Sequence, residues 1–592
     1  MAEVSTTPWT LFIILCTLLP AVSACASYAG FSQLSLWVFL AIALSFFVVA
    51  LRKSASDNSL MWLVFCFSLS LIFSSTFLSS NLPGGNDIVE EYRLFLQISQ
   101  THHWVSPPFA QVTGSLYGSV ISITVLPTVI ATVTGLAGLT VFTIVIPLLY
   151  SITPVILYKI YRTILSPRDA FLSAIMFMSY PVFYTTLLGV AREMIAQVLL
   201  VILIALMLSS RASALASIIL TFGLVISHYS LAFVYIGIVM FSFLIGRITR
   251  SRIETPIRSA MLAVVATIAW FAFVGGGATL VTLTQAMSRV LSGIGSNFFG
   301  GPRPTEVMAA IGAVQGQQGI LHTVNKATQY VVQIFLVLGF AVLAFKRRKT
   351  LGERRILPLM TFAMAFLVAS VALPFLAATL NLPRIYNISL LFLAPCLVIG
   401  VESLEQFRKL KTFQYPFTWR LRFHFPTKQV VVAVILCSYL LFTSGWAWSV
   451  SMDRIPTSPI FDSSRMRNST DITLKSEYFT VFITTPDIAA ARWISQHQRP
   501  DHVICSDVVA QDDVLTAYGE YPSGGSGTVL PYCNPNSYVY LGEFNTAYGY
   551  YRYATAQQAI VTPGSRYQIP EMLTPYDRIF SGDAAIYCGV TE

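Results

Sequence analysis

Apolar residues gather in long runs from the N-terminus to about residue 450 and then stop doing so. The runs fall at 10–28, 32–51, 60–78, 139–158, 169–187, 193–209, 212–227, 229–246, 259–275, 327–345, 356–378, 385–405 and 429–449. Each is near the roughly 20 residues that a helix needs to cross a hydrocarbon core about 30 Å thick. From Ser451 to Glu592 the chain is instead rich in Asp, Tyr, Gly, Thr and Pro, with short β-type runs and no spanning-length segment. The pattern predicts a polytopic α-helical membrane domain over 1–450, of about 13 crossings, followed by a soluble α/β or α+β domain over 451–592.

Composition agrees, and charge adds the orientation. Of 592 residues 55% are hydrophobic and 11% charged, against roughly 25% charged in soluble domains. The net charge of +10 does not point to nucleic acid, because the tail is net acidic and the excess lies in short loops of the membrane half. Those loops are Arg52-Lys53, Lys159 to Arg168, Arg247 to Arg258, Lys346 to Arg355 and Arg408 to Lys428. With the N-terminus inside, all five fall on the cytoplasmic face and the tail lies outside. Tyr117 to Leu136 is apolar but holds Pro127 and ends at Thr134-Gly135. Counting it as a crossing would put the later basic loops outside, so it reads as a helix at the outer interface or only partly inserted. Leu11 to Ala24, followed by Cys25, has the look of a secretory signal but lacks a basic residue before it, and reads as a retained helix.

Two outer loops are long, 79–138 and 276–326, and the second contains FFGGPRPTE, a candidate mobile substrate loop. The first contains GGNDIVEEYRLF, with Asp87, Glu90 and Glu91 on one helical face. Asn86 or Asp87 can also cap a helix there, with first-turn carboxylates suiting its dipole. The next outer turn, LLGVAREMIAQ, supplies Arg192 and Glu193, and SHYS supplies His228. NLPRIYN places Arg384, with Tyr386 and Asn387, at the outer end of the twelfth crossing. Arg is the side chain best shaped to grip phosphate with two parallel hydrogen bonds. Carboxylates and an Arg at one membrane face describe a site for a polar acceptor and an anionic donor held in the lipid.

This layout resembles the GT-C superfamily of membrane glycosyltransferases, which includes oligosaccharyltransferases, protein O-mannosyltransferases and aminoarabinose transferases. Asp87 in GGNDIVEEY matches the first-loop acid and Glu193 in AREM the second acidic motif. Tyr117 to Leu136 matches the juxtamembrane helix, and Arg384 in LPRIYNISLLFLAP resembles the late outer Arg that contacts the donor phosphate. The tail, with TPDIAAARWISQH, VICSD and DRIFSGDAAIYCG, is similar to the outer domains of archaeal members. The resemblance implies inverting transfer of a sugar from a polyprenyl-phosphate donor to a protein or glycan acceptor. Asp87 would be the base or orient the acceptor hydroxyl, Arg384 would stabilise the leaving phosphate and Glu193 would position the acceptor or a metal. Glu90, Glu91, Arg192, His228 and Tyr386 would complete the binding surface. There is no WWDYG, so transfer of a whole glycan to Asn is not supported. The second motif has one carboxylate rather than a DxD pair. Asp87 and Glu193 can help hold Mg²⁺ or Mn²⁺ with donor phosphates completing the shell, but nothing requires the ion.

In the tail, Cys505, Cys533 and Cys588 lie on the oxidising side, which allows one disulfide and leaves the pair open. Neither CxxC nor HExxH occurs, against a structural zinc site or a zinc protease. Asn468-Ser-Thr is a glycosylation sequon. The main competing function is a transporter or flippase of lipid-linked sugars, which would place ionisable groups near the bilayer midplane at broken helices. A third, a membrane anchor for the outer domain, needs far fewer crossings.

Overall fold

A computed structural model describes residues 8–589 except 53–54, 76–80, 106–116, 210–212, 250–256, 298–306, 309–318, 346–349, 374–375, 411–427, 453–457, 500–501, 522–527, 531, 535, 555–558, 563–572 and 575. Each of the apolar runs read from the sequence is mostly helical over its described residues. Eight helices are long and apolar enough to cross a membrane: Pro8–Tyr28, Ser32–Leu51, Gly138–Tyr161, Ala191–Leu208, Tyr229–Arg247, Ile320–Phe345, Gly352–Ala372 and Leu382–Leu404. Two further runs are bent pairs, Pro167–Met178 with Pro181–Gly189 at 75° and Met261–Val274 with Ala278–Gly293 at 116°. The first breaks at Pro181, whose ring removes an N–H and disfavours helix at the residue before it. Three more, Asp57–Phe73, Ala214–Ser227 and Lys428–Thr443, are shorter apolar helices. At 10–17 residues these fall at or below the short end of the roughly 17–25 residues of a spanning helix.

The protein is therefore a multi-pass membrane protein with eight spanning-length helices among the described residues, or up to 10 if each bent pair is one span; the expected count of about 13 is not confirmed. Val125–Thr134 is a short helix within the segment read as interfacial. The 276–326 stretch is not simply a loop: helix Ala278–Asn297 fills much of its first half, while FFGGPRPTE lies outside the described residues.

Leu382–Leu410 is the central helix, with 89% of its spanning window buried. It lies against Ile320–Phe345 with backbone touching backbone. A Cβ at Gly339 would stand 1.8 Å from the Cys396 carbonyl oxygen, and one at Gly400 2.3 Å from that of Phe335. Small residues are what let two membrane helices approach so closely. Some of the basic loop residues tie helices together: Arg162 meets Asp57 at 2.8 Å, and Lys428 meets Asp169 at 3.0 Å and Glu402 at 3.1 Å.

After the last apolar run the chain makes strands β1 (Val503–Ser506), β2 (Thr528–Val529), β3 (Ser537–Leu541), β4 (Tyr551–Ala554), β5 (Ala559–Thr562), β6 (Tyr576–Ser581) and β7 (Ala585–Gly589). Five form one sheet in the order β2-β1-β3-β7-β6, and β4 pairs with β5. β1 is parallel to β2 and β3, whereas β7 is antiparallel to β3 and β6. Helix Thr485–His497 starts at Thr484, whose hydroxyl accepts the Asp487 N–H, and is tied to β3 by the Tyr540 hydroxyl, which donates to the Asp487 carbonyl at 3.1 Å. Cys505 is bonded to Cys533, and Cys588 on β7 is not part of a disulfide. The fold closes the pairing that the sequence leaves open.

Candidate active site

Asp87 immediately precedes helix Ile88–Thr101, yet its side chain makes no capping bond to that helix, and Asn86 instead donates to the Gly84 carbonyl at 2.8 Å. The capping expectation fails because Asp87 is turned outward, onto a cation. Its Oδ2 accepts from Arg192 Nη2 at 2.6 Å. One turn further on, Glu91 accepts the Ala191 N–H at 2.7 Å and pairs with Arg192 Nη1. Helix Ala191–Leu208 has no cap from its own flank at Val190, so a carboxylate from the first loop satisfies one of its free N–H groups and its positive end. The Arg192 guanidinium is 2% exposed and lies 3.9 Å from the centre of the Tyr117 ring, a cation–π contact away from water.

Arg384 closes the cluster from the central helix. Its Nη1 is 3.5 Å from Glu193 Oε2 and its Nη2 is 3.9 Å from Asp87 Oδ2. Asp87, Glu91, Arg192, Glu193 and Arg384 thus converge from three segments, with two guanidinium groups among three carboxyls. Burial pushes the Glu91 carboxyl up to about 7, against the pull of Arg192 and the Ala191 N–H. His228 is buried and neutral. Its Nδ1 accepts the Leu231 N–H at 3.2 Å, which puts the ring proton on Nε2, a donor with no partner among the described residues. Burial, Arg192 and Arg384 hold its pKa well below the usual histidine value.

Two of the residues singled out in the sequence stand elsewhere. Glu90 is held by Arg93 through two bonds of 2.7 Å. Tyr386 packs edge-on to Tyr180 at 4.9 Å and lines a groove of about 530 Å³ walled mainly by apolar side chains, Leu336, Pro383 and Tyr439 among them, with Gln329 and Gln333 beside them. Arg384 stands on the same helical turn as Pro383 and Tyr386. Sequence reading missed the role of Tyr117 under Arg192, and the buried Gln197, which accepts from Tyr150 and Asn387 at 3.3 and 3.5 Å. Gln197 lies one turn after Glu193, which was the available clue.

A divalent cation shared by Asp87 and Glu193 does not fit this arrangement, since the Arg384 guanidinium takes the place between them and Arg192 holds Asp87 from the other side. No group of three or more His, Cys, Asp or Glu able to hold a metal occurs among the described residues.

Several solved structures are similar in layout. ArnT from Cupriavidus metallidurans bound to undecaprenyl phosphate matches 85% of this chain and 96% of its own at 13% identity and a TM-score of 0.42. The arabinofuranosyltransferase AftD from Mycobacteria matches 91% and 40% at 13% identity and 0.46. The Archaeoglobus fulgidus oligosaccharyltransferase tethered with an acceptor peptide matches 79% and 64% at 14% identity and 0.42. All three are of the GT-C kind that the sequence resembles. With every TM-score below 0.5, these likenesses say nothing of what this chain binds or does. No curated protein matches it. Residues 214–587, more than half of the chain and including Arg384, match the family model described as predicted membrane protein, DUF2206. The chain belongs to that family.

Proposed function

We propose that the chain is a membrane glycosyltransferase that moves a sugar from a polyprenyl-phosphate donor to an acceptor at the outer membrane face. The observation that carries this reading is the position of Arg384, which pairs with Asp87 and Glu193 and stands on the same helical turn that lends Leu382, Pro383 and Tyr386 to the groove. An apolar groove suits the polyprenyl tail, and a guanidinium on the helix that walls it suits the phosphate.

In this mechanism the acceptor hydroxyl attacks the anomeric carbon as Asp87 takes its proton, the bond from that carbon to the phosphate oxygen breaks, and the phosphate leaves with the electron pair. Arg384 turns from the acids to the growing negative charge, which it stabilises more in the transition state than before it. Arg192 stays with Glu91 and keeps Asp87 aimed. Glu193 orients the acceptor. The neutral His228 donates from Nε2 to a substrate oxygen. No step passes through a metal.

The same reading places the N-terminus in the cytoplasm and the 451–592 domain outside. Support comes from the disulfide, which persists in oxidising compartments. The flippase reading has one feature in its favour, the bent helix pair that leads into Arg192. The clustering of the charged groups beside one outer turn favours the transferase.

The test is incubation of purified protein in lipid with radiolabelled polyprenyl-phosphate sugars and host membrane extract. Label passing to an acceptor with wild type and not with Asp87→Asn supports the transferase. Absence of transfer, with lipid-linked sugars crossing proteoliposome membranes, replaces it with the flippase.

A further inference from the structure

The stretch leading into Asp87 is held by the far end of the chain. Asn81 Nδ2 donates to the Ile483 carbonyl at 2.8 Å, and Pro83 pairs with Phe482 in an isolated antiparallel bridge. The Leu82 N–H donates to the Tyr518 hydroxyl at 2.9 Å and the Gly84 N–H to the Val481 carbonyl at 3.0 Å. The carboxyl of Asp513, a residue 5% exposed, faces the same stretch, and the Gly85 N–H is the backbone group that acts on it. Pro83 has no N–H, and the backbone donors of Leu82 and Gly84 both go to the segment 480–518. Gly84 is pressed in so closely that a Cβ there would stand 2.0 Å from the Thr480 carbonyl oxygen and 3.1 Å from Asp513 Oδ2.

We propose that Asp513 is a positioning residue for the site: through Gly85 it fixes where Asp87 stands relative to Arg192 and Arg384. The C-terminal region is thereby a working part of the site and not an appendage. What Asp87 does there rests on the transferase reading; the clamp itself does not. Asp513 lies just after β1 in the turn of helix Ala510–Leu515. The charged groups that act on it are Arg552, Asp512 and Asp507, of which Arg552 is already engaged by Asp507 at 2.8 Å. An acceptor aimed at a loop amide two residues before the proposed base sets that base's reach. A misplacement of about 1 Å is enough to cost roughly 100-fold in rate.

The experiment compares full-length wild type, Asp513→Ala, Asp513→Asn and Tyr518→Phe in lipid nanodiscs, reading amide hydrogen exchange over residues 81–91 and sugar transfer. Asn keeps an acceptor oxygen and Ala does not. The expected result for Ala is exchange faster by about tenfold or more and transfer slower by roughly 10 to 100-fold at unchanged donor KM. Asn should restore both to near wild type, and Tyr518→Phe should show a milder form of the Ala result. Wild-type exchange in Asp513→Ala overturns the proposal, as does an Asn variant that fails like Ala. Should Asp513→Ala not fold, the Asn rescue and the exchange of Tyr518→Phe still decide. If wild type transfers no sugar, the transferase reading falls while the exchange pattern continues to report on the clamp.

Discussion

Arg192 donates to Asp87 at 2.6 Å across 105 positions of sequence. This contact joins the first loop to the start of a spanning helix, and it takes up the carboxylate that a helix start would otherwise use for itself. Asp87 is 34% exposed in its side chain, so its charge is available to an incoming hydroxyl. Asp87→Asn should reduce transfer by about 10² to 10⁴-fold while the melting temperature stays within a few degrees, because Arg192 retains Glu91. Rate and thermal unfolding, measured on one preparation, check it.

Arg192 has the opposite balance. Its guanidinium is buried between Asp87 and Glu91, and Arg192→Met leaves Glu91 in the interior with its cation gone. Losing one partner of a buried pair costs about 3–5 kcal/mol, so this variant should show a clear drop in thermal midpoint as well as in activity. Arg192→Lys should recover little, since one ammonium cannot make both bonds.

Arg384→Ala should slow transfer by roughly 100 to 1000-fold with a smaller loss of stability than Arg192→Met, because the side chain is 26% exposed although its partner Glu193 is buried. Arg384→Lys should recover part of the rate. Single-turnover transfer from a defined donor measures both.

Burial raises Asp513 from 3.8 to about 7. The folded protein then holds a proton that the unfolded chain has released between those values. Stability from this group is fully present below pH 3.8 and is lost as pH rises toward about 7, after which it stays level. Asp513→Asn should remove that slope. Thermal midpoints across the pH range, wild type against variant, are the check.

Cys588, partly exposed on β7, is outside the disulfide that joins Cys505 to Cys533. A membrane-impermeant maleimide added to intact cells should label the tail at Cys588 and lose that label in Cys588→Ser. Labelling only after the cells are opened would reverse the proposed orientation.

The helical bundle was legible because an apolar run of spanning length has few other fates. The count of crossings was less so. Asp57–Phe73, Ala214–Ser227 and Lys428–Thr443 read as apolar runs in sequence, but where a helix ends depends on local turns and packing. Asp87, Glu193 and Arg384 stood out as charges at the ends of apolar runs, the one place where a charge in such a chain needs a reason. Glu90 shared their pattern and went instead to Arg93, three residues away, a choice between neighbours that spacing does not encode. Asp513 carried no sign at all: QDDV looks like any polar turn, and its partner is a backbone amide in the opposite half of the chain.

That long reach also orders events during synthesis. Leu82 is made 436 positions before the Tyr518 hydroxyl that receives its N–H. At about 5–20 residues per second the interval is roughly 20 to 90 s. The helices around Arg192 enter the membrane within that time, while the stretch before Asp87 still lacks its partners. A nascent chain therefore carries an inserted bundle with an unsupported acid loop, and the loop takes its place only when translation has delivered the segment that holds it.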